Sequence, residues 1–382
     1  MRATRVSNER GIALAVAVFA LVVIGALVAG TFFAGQLEQQ TGQNAVYATQ
    51  ASEAAEAGLA EALSSSTAGA MTAMPVDPTT STALTTLSPG SHLSANRSMS
   101  RLTDNLWLVQ SIGTRADAGG TQLATRSLGQ LIRLNMAELE MAAGLTALGD
   151  VTVTGGAEVT GIDAVPPLWA AQSVSCPPTA DAAGVRYNNG TVSTKGQGTI
   201  GGVPATVKDL SLNPTDMKSD FDKMKELATL LVTTDNPAAT GPAYSGNPQK
   251  CDTSVMTNWG EPTLKTDPCF DYFPIIYRNG NLKLQGGRGQ GILLVEGDLT
   301  ATGGMVFYGP VYVTGTLSTS GNSGQGAKFF GGVIAGNVAL DDLTKLAGGA
   351  LVSYSSCAIK RALQGSATPA PLQERSWMQL YN

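Results

Sequence analysis

Residues 291–320 read GILLVE, GDLTAT, GGMVFY, GPVYVT and GTLSTS, and another glycine follows at 321. Glycine opens every sixth position. Within each hexad the third and fifth residues are mostly apolar: Leu293 and Val295, Leu299 and Ala301, Met305 and Phe307, Val311 and Val313, and Leu317 with Thr319. An extended chain turns successive side chains to opposite faces, so these two positions share a face. Glycine at the head of each hexad lets the chain take a corner that other residues disfavour. Each hexad therefore predicts a short strand that buries two side chains and then turns, and about three such strands make one coil of a β-solenoid. The alternative for the same residues is a Gly-rich β-sandwich.

The rule extends outward from this stretch. GNLKLQ (280–285) obeys it with Leu282 and Leu284. GDVTVT and GGAEVT (149–160) obey it with Val151, Val153, Ala157 and Val159, and GGVIA and GNVAL (331–340) continue it approximately. Such a pattern resembles bactofilin-type and other polymer-forming β-helices. The expectation is a solenoid head over 136–382, interrupted by an excursion at about 162–275. That excursion holds the CPP at 176–178, a predicted helix over 214–234 and loops around Pro237, Pro242 and Pro248. Hexads at Gly190 and Gly196 are candidate rungs within it.

Upstream, SMSRLTDNLWLVQSIGTRA and GGTQLATRSLGQLIRLNM (98–136) read as strands with turns at Asp104-Asn105 and Gly119-Gly120. They predict a small antiparallel meander within 66–135. Residues 64–92, rich in Ser, Thr, Ala and Pro, predict a loop leading into it. The single histidine, His92, reads there as a solvated surface residue.

The first residues set the cellular context. In RVSNERGIALAVAVFALVVIGALVAGTFFAG (5–35), three charges precede Gly11 and none follows as far as Gly35. The uncharged run is long enough to cross a bilayer, and longer than the apolar core of an ordinary secretory signal. Arg2, Arg5 and Arg10 place the N-terminus in the cytoplasm and the body outside. Residues 35–65 continue without proline, with Ala51, Ala55, Leu59 and Leu63 at i+4 and Glu53, Glu56 and Glu61 mostly on other faces. One helix over 12–65 would project about 75 Å, and a plain signal-anchor, the alternative, has no need of such a rod.

A basic leader ending in Arg10-Gly11, an apolar run from Ile12 and the helical segment ASEAAEAGL (51–59) together resemble PilX-type minor pilins and related type IV pilin-like proteins. The resemblance covers about the first 65 residues. It implies a leader, 1–11, that prepilin peptidase removes between Gly11 and Ile12. It also implies an apolar helix that stays in the membrane and packs with the helices of other pilin or pseudopilin subunits. Major pilins of that family carry glutamate at the fifth mature residue. The corresponding residue here is Val16, as in several tip-located minor pilins and pseudopilins.

Composition excludes several classes. Charged residues make up 14%, and 45 glycines with 43% hydrophobic residues suit short strands separated by turns rather than a disordered chain. A net charge of −5 gives no general reason to bind nucleic acid. Cys176, Cys251, Cys269 and Cys357 have no CxxC spacing, and with one histidine they predict disulfides rather than a metal site. Cys251–Cys269 closes the smaller loop. GQGTIG (196–201) matches GxGxxG but precedes Gly202-Val203-Pro204, which does not open the helix a dinucleotide site needs. Asp341-Asp342 reads as a solvated turn or helix start. No catalytic cluster or cofactor motif emerges. The fold class is therefore mainly β, with a long N-terminal helix, a small meander and an interrupted parallel solenoid. Two functions remain: a non-enzymatic minor pilin or pseudopilin acting in assembly, initiation or tip display, and a membrane-anchored β-helix enzyme acting on polysaccharide. The ligand of the head is not encoded in any motif.

Overall fold

The computed structural model describes residues 10–103, 105–174, 176, 177, 179–320, 326–335, 344–346, 349–372 and 377–380. The chain forms two compact units: Met1–Ser66 with Pro75–Arg133 and Pro371–Asn382, and Thr67–Met74 with Leu134–Ala370. Thus 67–74 groups with the second unit, where the sequence predicts the meander, and 371–382 groups with the first, where the sequence predicts the head.

The first unit is a helix on a meander. Helix α1 spans Arg10–Ser65. It stops in a run of serines whose hydroxyls bond back to the carbonyls of Glu61 and Ala62 one turn earlier. Strands β1 (Thr82–Gly90), β2 (Leu93–Thr103), β3 (Leu106–Ala116) and β4 (Gln122–Asn135) pair antiparallel in sequence order. The C-terminal strand Trp377–Leu380 adds antiparallel to β4. Alternation along β2–β4 buries Ala95, Met99, Trp107, Val109, Leu128 and Ile132. β1 falls where a loop was expected. As a mostly exposed edge strand it needs a backbone partner in β2 but no apolar face, so its Ser/Thr composition looks loop-like. The same segment also holds helix α2, Ala68–Ala73, capped by the Thr67 hydroxyl and grouped with the second unit.

The second unit is a parallel β-solenoid of three sheets. Its first face contains Ile275–Asn279, Ile292–Glu296, Val311–Val313, Val333–Ala335, Ala143–Ala147 and Ala183–Tyr187. Its second contains Leu282–Gln285, Leu299–Thr302, Leu317–Ser320, Thr344–Leu346, Val151–Gly155 and Val192–Gly196. Its third contains Arg288–Gln290, Val306–Tyr308, Lys328–Phe330, Leu351–Ser353, Glu158–Thr160 and Thr199–Gly201. Each coil takes one strand from each face. Leu293 lies in register with Val311 and Leu299 with Leu317, eighteen residues or three hexads apart. Leu145, Val151, Val153, Val159, Leu293, Val295, Leu299, Phe307, Val311 and Val313 form one buried core. At a hexad corner, Gly309 has φ 132°, and a Cβ there would stand 1.9 Å from the Gly291 carbonyl oxygen of the neighbouring coil. No side chain fits.

Stacking order departs from chain order. The coil that begins at Val333 pairs with 143–160, not with residues that follow it. The coil at 183–201 stacks beyond that, and Thr206–Lys208 pairs on its outer edge. At the opposite end Leu230–Val232 pairs with Ile275–Asn279. The excursion at 209–274 therefore carries the chain from one end of the stack to the other, and 183–208 belongs to the solenoid. Within the excursion α4 covers Pro214–Glu226, ending earlier than the predicted 234 because Leu230–Val232 becomes a strand. Trp259 plugs that end of the core. It packs edge-on to Phe307 at 6.2 Å, and Gly289 leaves the space it fills.

Short helices α3 (Pro167–Ala171) and α5 (Ser356–Gly365) complete the unit. Trp169 of α3 stacks on Tyr308 at 5.2 Å. The Arg361 guanidinium of α5 lies 4.9 Å from the Trp169 and Phe270 rings and 5.2 Å from Phe273. Gly321, residues 336–340 and Asp341-Asp342 lie outside the described residues.

Candidate functional site: the N-terminal helix

The helix α1 has two chemically distinct halves. From Leu14 to Leu37 its large apolar side chains lie in the open: Leu14, Val16, Phe19, Leu21, Ile24, Leu27, Phe32 and Phe33 are each more than half exposed. Its most apolar window has a mean hydropathy of 2.6 and none of it is buried. The first acidic residue after Gly11 is Glu38. A helix that satisfies its own backbone while exposing only apolar side chains is suited to lipid or to other such helices, and costly in water. Gly11 and Ile12 lie in its first turn, and residues 1–9 of the leader lie outside the described residues. Val16 is exposed.

The second half is built for close packing. Ala51, Ala54, Ala55, Leu59 and Ala62 are buried, while Glu53, Glu56 and Glu61 are exposed. The buried stripe thus ends on Ala62 rather than the expected Leu63. A Cβ on Gly113 of β3 would stand 2.0 Å from the Ala51 carbonyl oxygen, and one on Gly58 would stand 2.2 Å from the Ser111 hydroxyl. The small residues of ASEAAEAGL are therefore what allows the helix to lie directly against the sheet. Arg115 on β3 reaches the Tyr47 ring at 5.9 Å.

The cysteines pair as Cys251–Cys269 and Cys176–Cys357. The first staples the excursion, whose exposed hairpin joins Tyr244–Ser245 to Lys250–Cys251. The second ties the segment after α3 to α5. Asp163 strengthens the same tie by accepting from the amides and hydroxyls of Thr179 and Ser356. Burial raises its pKa, but these bonds outweigh burial and hold it below the ordinary carboxylate value. Lys225 of α4 reaches Glu296 at 2.7 Å, and that bond raises the lysine and lowers the glutamate. Burial pushes Tyr308 up to about 12.

The motifs weighed for chemistry resolve into structure. Gly196, Gly198 and Gly201 of GQGTIG sit on two strands and the corner between them. His92 is exposed in the β1–β2 turn with φ 62°. Among the described residues no three His, Cys, Asp or Glu side chains are grouped to hold a metal ion. A cleft of about 420 Å³ runs beside α5, with Glu140, Ser356, Lys360 and Gln364 as its polar lining. Sequence reasoning missed α5 and the ring cage around Arg361, whose members are scattered over nearly two hundred residues.

No protein-family profile matches the chain, and no curated protein matches it. Among solved structures, the competence-associated pilin ComZ from Thermus thermophilus aligns over 88% of this chain and 97% of its own, at 11% identity and a TM-score of 0.24.

Proposed function

We propose that the chain is a non-enzymatic, type IV pilin-like subunit, a minor pilin or pseudopilin that displays its solenoid head outside the cytoplasmic membrane. The observation that carries this reading is the division of α1. An uncharged, fully exposed apolar half continues without a break into a half packed on the meander through Ala51, Ala55 and Gly58. A single-pass anchor accounts for the first half alone. A subunit that inserts its apolar half among other such helices accounts for both.

On this reading prepilin peptidase cuts between Gly11 and Ile12 and removes Arg2, Arg5, Glu9 and Arg10. The helix then passes from the membrane into a filament core, where its partners are the helices of other subunits. Arginines before the span keep the leader in the cytoplasm and put the head in the periplasm or at the surface, an oxidising setting consistent with two disulfides. Val16 cannot supply a carboxylate to a neighbour's terminal amine, which favours initiation, tip display or adhesion over repeated addition along a shaft.

The test is the N-terminal residue of protein isolated from membranes. Ile12 is expected, with a longer form accumulating in Gly11→Val. Met1 or Arg2 on the mature wild-type protein overturns the reading.

A further inference from the structure

The side chain of Arg361 on α5 is mostly buried, packed against the rings of Trp169, Phe270 and Phe273. A guanidinium carries five N–H donors and stays charged in proteins. Here, among the described residues, its hydrogen bonding amounts to one contact of 3.3 Å, from Nη2 to the carboxylate of Asp271, while the buried Nε has no partner. Asp271 is itself largely exposed, so water weakens its hold on the buried cation. Burial accordingly lowers the pKa of Arg361 in spite of Asp271. Rings favour a cation, but they do not supply the acceptors that its N–H edge lacks. This under-bonded cation lines a cavity of about 390 Å³ between α2, the Cys176–Pro177 segment, the Asp271–Phe273 segment and α5. The charged groups of that lining are Arg361, Lys360 and Asp271, two cations and one acid, and Gln364 adds an amide. Lys360, Arg361 and Gln364 all come from α5, which the Cys176–Cys357 disulfide ties to one wall of the cavity.

We propose that this cavity binds a small organic carboxylate, held by the N–H edge of Arg361 with Lys360 beside it. The site does not depend on where the head is displayed. Bonding, charge and size select the ligand class. A planar carboxylate satisfies a guanidinium edge through two parallel N–H bonds. Asp271 already offers one carboxylate oxygen there, and its exposed side chain can turn to solvent as a ligand enters. The lining has a single surplus positive charge, which balances one carboxylate. A phosphate group, with about 1.5–2 negative charges at pH 7, would meet Asp271 with its own charge only partly balanced. The volume is larger than a bare ion needs and falls in the range of small-molecule sites, so the carboxylate comes with a body about the size of one sugar or amino-acid residue.

The experiment titrates the full chain in detergent with glucuronate, acetylglycine, glucose and inorganic phosphate, read by calorimetry. Wild type should bind glucuronate, acetylglycine or both in a salt-sensitive way and give no heat with glucose. Binding of glucuronate alone assigns a sugar acid, and binding of acetylglycine alone assigns a peptide-like carboxylate; either result supports the site. Arg361→Lys keeps the charge but loses the planar fork, and should weaken binding about tenfold. Lys360 and Asp271 are exposed, so their variants should keep the circular dichroism of wild type. Lys360→Ala should weaken binding about threefold, and Asp271→Asn, which removes the competing carboxylate, should tighten it by a similar factor. Neither carboxylate bound, phosphate bound as tightly as the carboxylates, or affinities unmoved in both Lys360→Ala and Asp271→Asn each overturns the inference. Cleavage at Gly11 is read separately and tests only the pilin proposal.

Discussion

Gly113 concentrates the packing of the first unit at one atom. Its missing side chain lets the Ala51 carbonyl approach, and the obstacle a Cβ would meet is helix backbone, which cannot rotate away. Gly113→Val should therefore push α1 off the sheet and lower the stability of that unit by about 2–3 kcal/mol, read as a drop in thermal midpoint. An unchanged midpoint would show that the helix has slack there. In the second unit Leu299 and Thr300 are neighbours with opposite orientation. Leu299→Asp places an unpaired charge in a fully buried core and should unfold the head, whereas Thr300→Asp faces outward and should stay within about 0.5 kcal/mol. Equal behaviour of the two variants would refute the inward–outward assignment. Residues at this scale were largely readable from sequence, because period-two alternation and the small residues of ASEAAEAGL are local consequences of local geometry. The Arg361 cage was not, because it is assembled from Trp169, Phe270 and Phe273 across long separations.

Elements were readable where their own pattern determines them and misread where tertiary pairing does. β2, β3 and β4 carry alternation and turns. β1 and Leu230–Val232 exist because a neighbouring strand accepts them, and nothing in TALTTLSPG or LLV distinguishes an accepted strand from a loop or a helix end. The ties between elements give two predictions. Cys176–Cys357 spans 181 residues of sequence and Cys251–Cys269 spans 18. Loop-closure entropy ranks the first at about 5 kcal/mol and the second at about 3. The double variant Cys176→Ser/Cys357→Ser should accordingly lose more denaturant stability than Cys251→Ser/Cys269→Ser, and the reverse order would show that the reduced chain keeps the α3–α5 tie. Asp163 makes that tie pH-dependent. Its folded-state pKa lies below the ordinary carboxylate value, so its contribution is complete above about pH 4 and is lost as pH falls through the depressed value. Asp163→Asn should flatten this part of the acid limb of a stability–pH curve, and an unchanged limb would assign acid sensitivity to other carboxylates.

Over the whole molecule, the hexads reveal that coils stack but not in which order. Every interface between coils is made of the same apolar pairs and backbone ladder, so GDVTVT is as compatible with a neighbour from 344–346 as with one from 192–196, and it has both. Order is decided by the excursion, whose Leu230–Val232 and Trp259 cover the end of the stack at 275–290, leaving the coil at 333–353 to close against the one at 143–160. A second consequence of topology concerns the first unit. The chain leaves it after β4 and re-enters it at Pro371, where the Leu372 amide donates to the Leu131 carbonyl, and Trp377–Leu380 then pairs with β4 itself through Trp377 opposite Gln130 and Leu380 opposite Ser127. The solenoid is thus inserted between two adjacent antiparallel strands, a connection that a short loop can make. Replacing residues 137–370 by a short Gly/Ser linker should leave α1 and the meander folded in detergent, with its helical circular dichroism and a protected Trp107. If the pilin reading also holds, the shortened chain should still be cut after Gly11, because the leader and the apolar half of α1 are intact, while surface-dependent behaviour carried by the head is lost. A shortened chain whose meander no longer protects Trp107 would show that the first unit depends on the insertion for its stability, and that residues 137–370 are more than a separable addition to it.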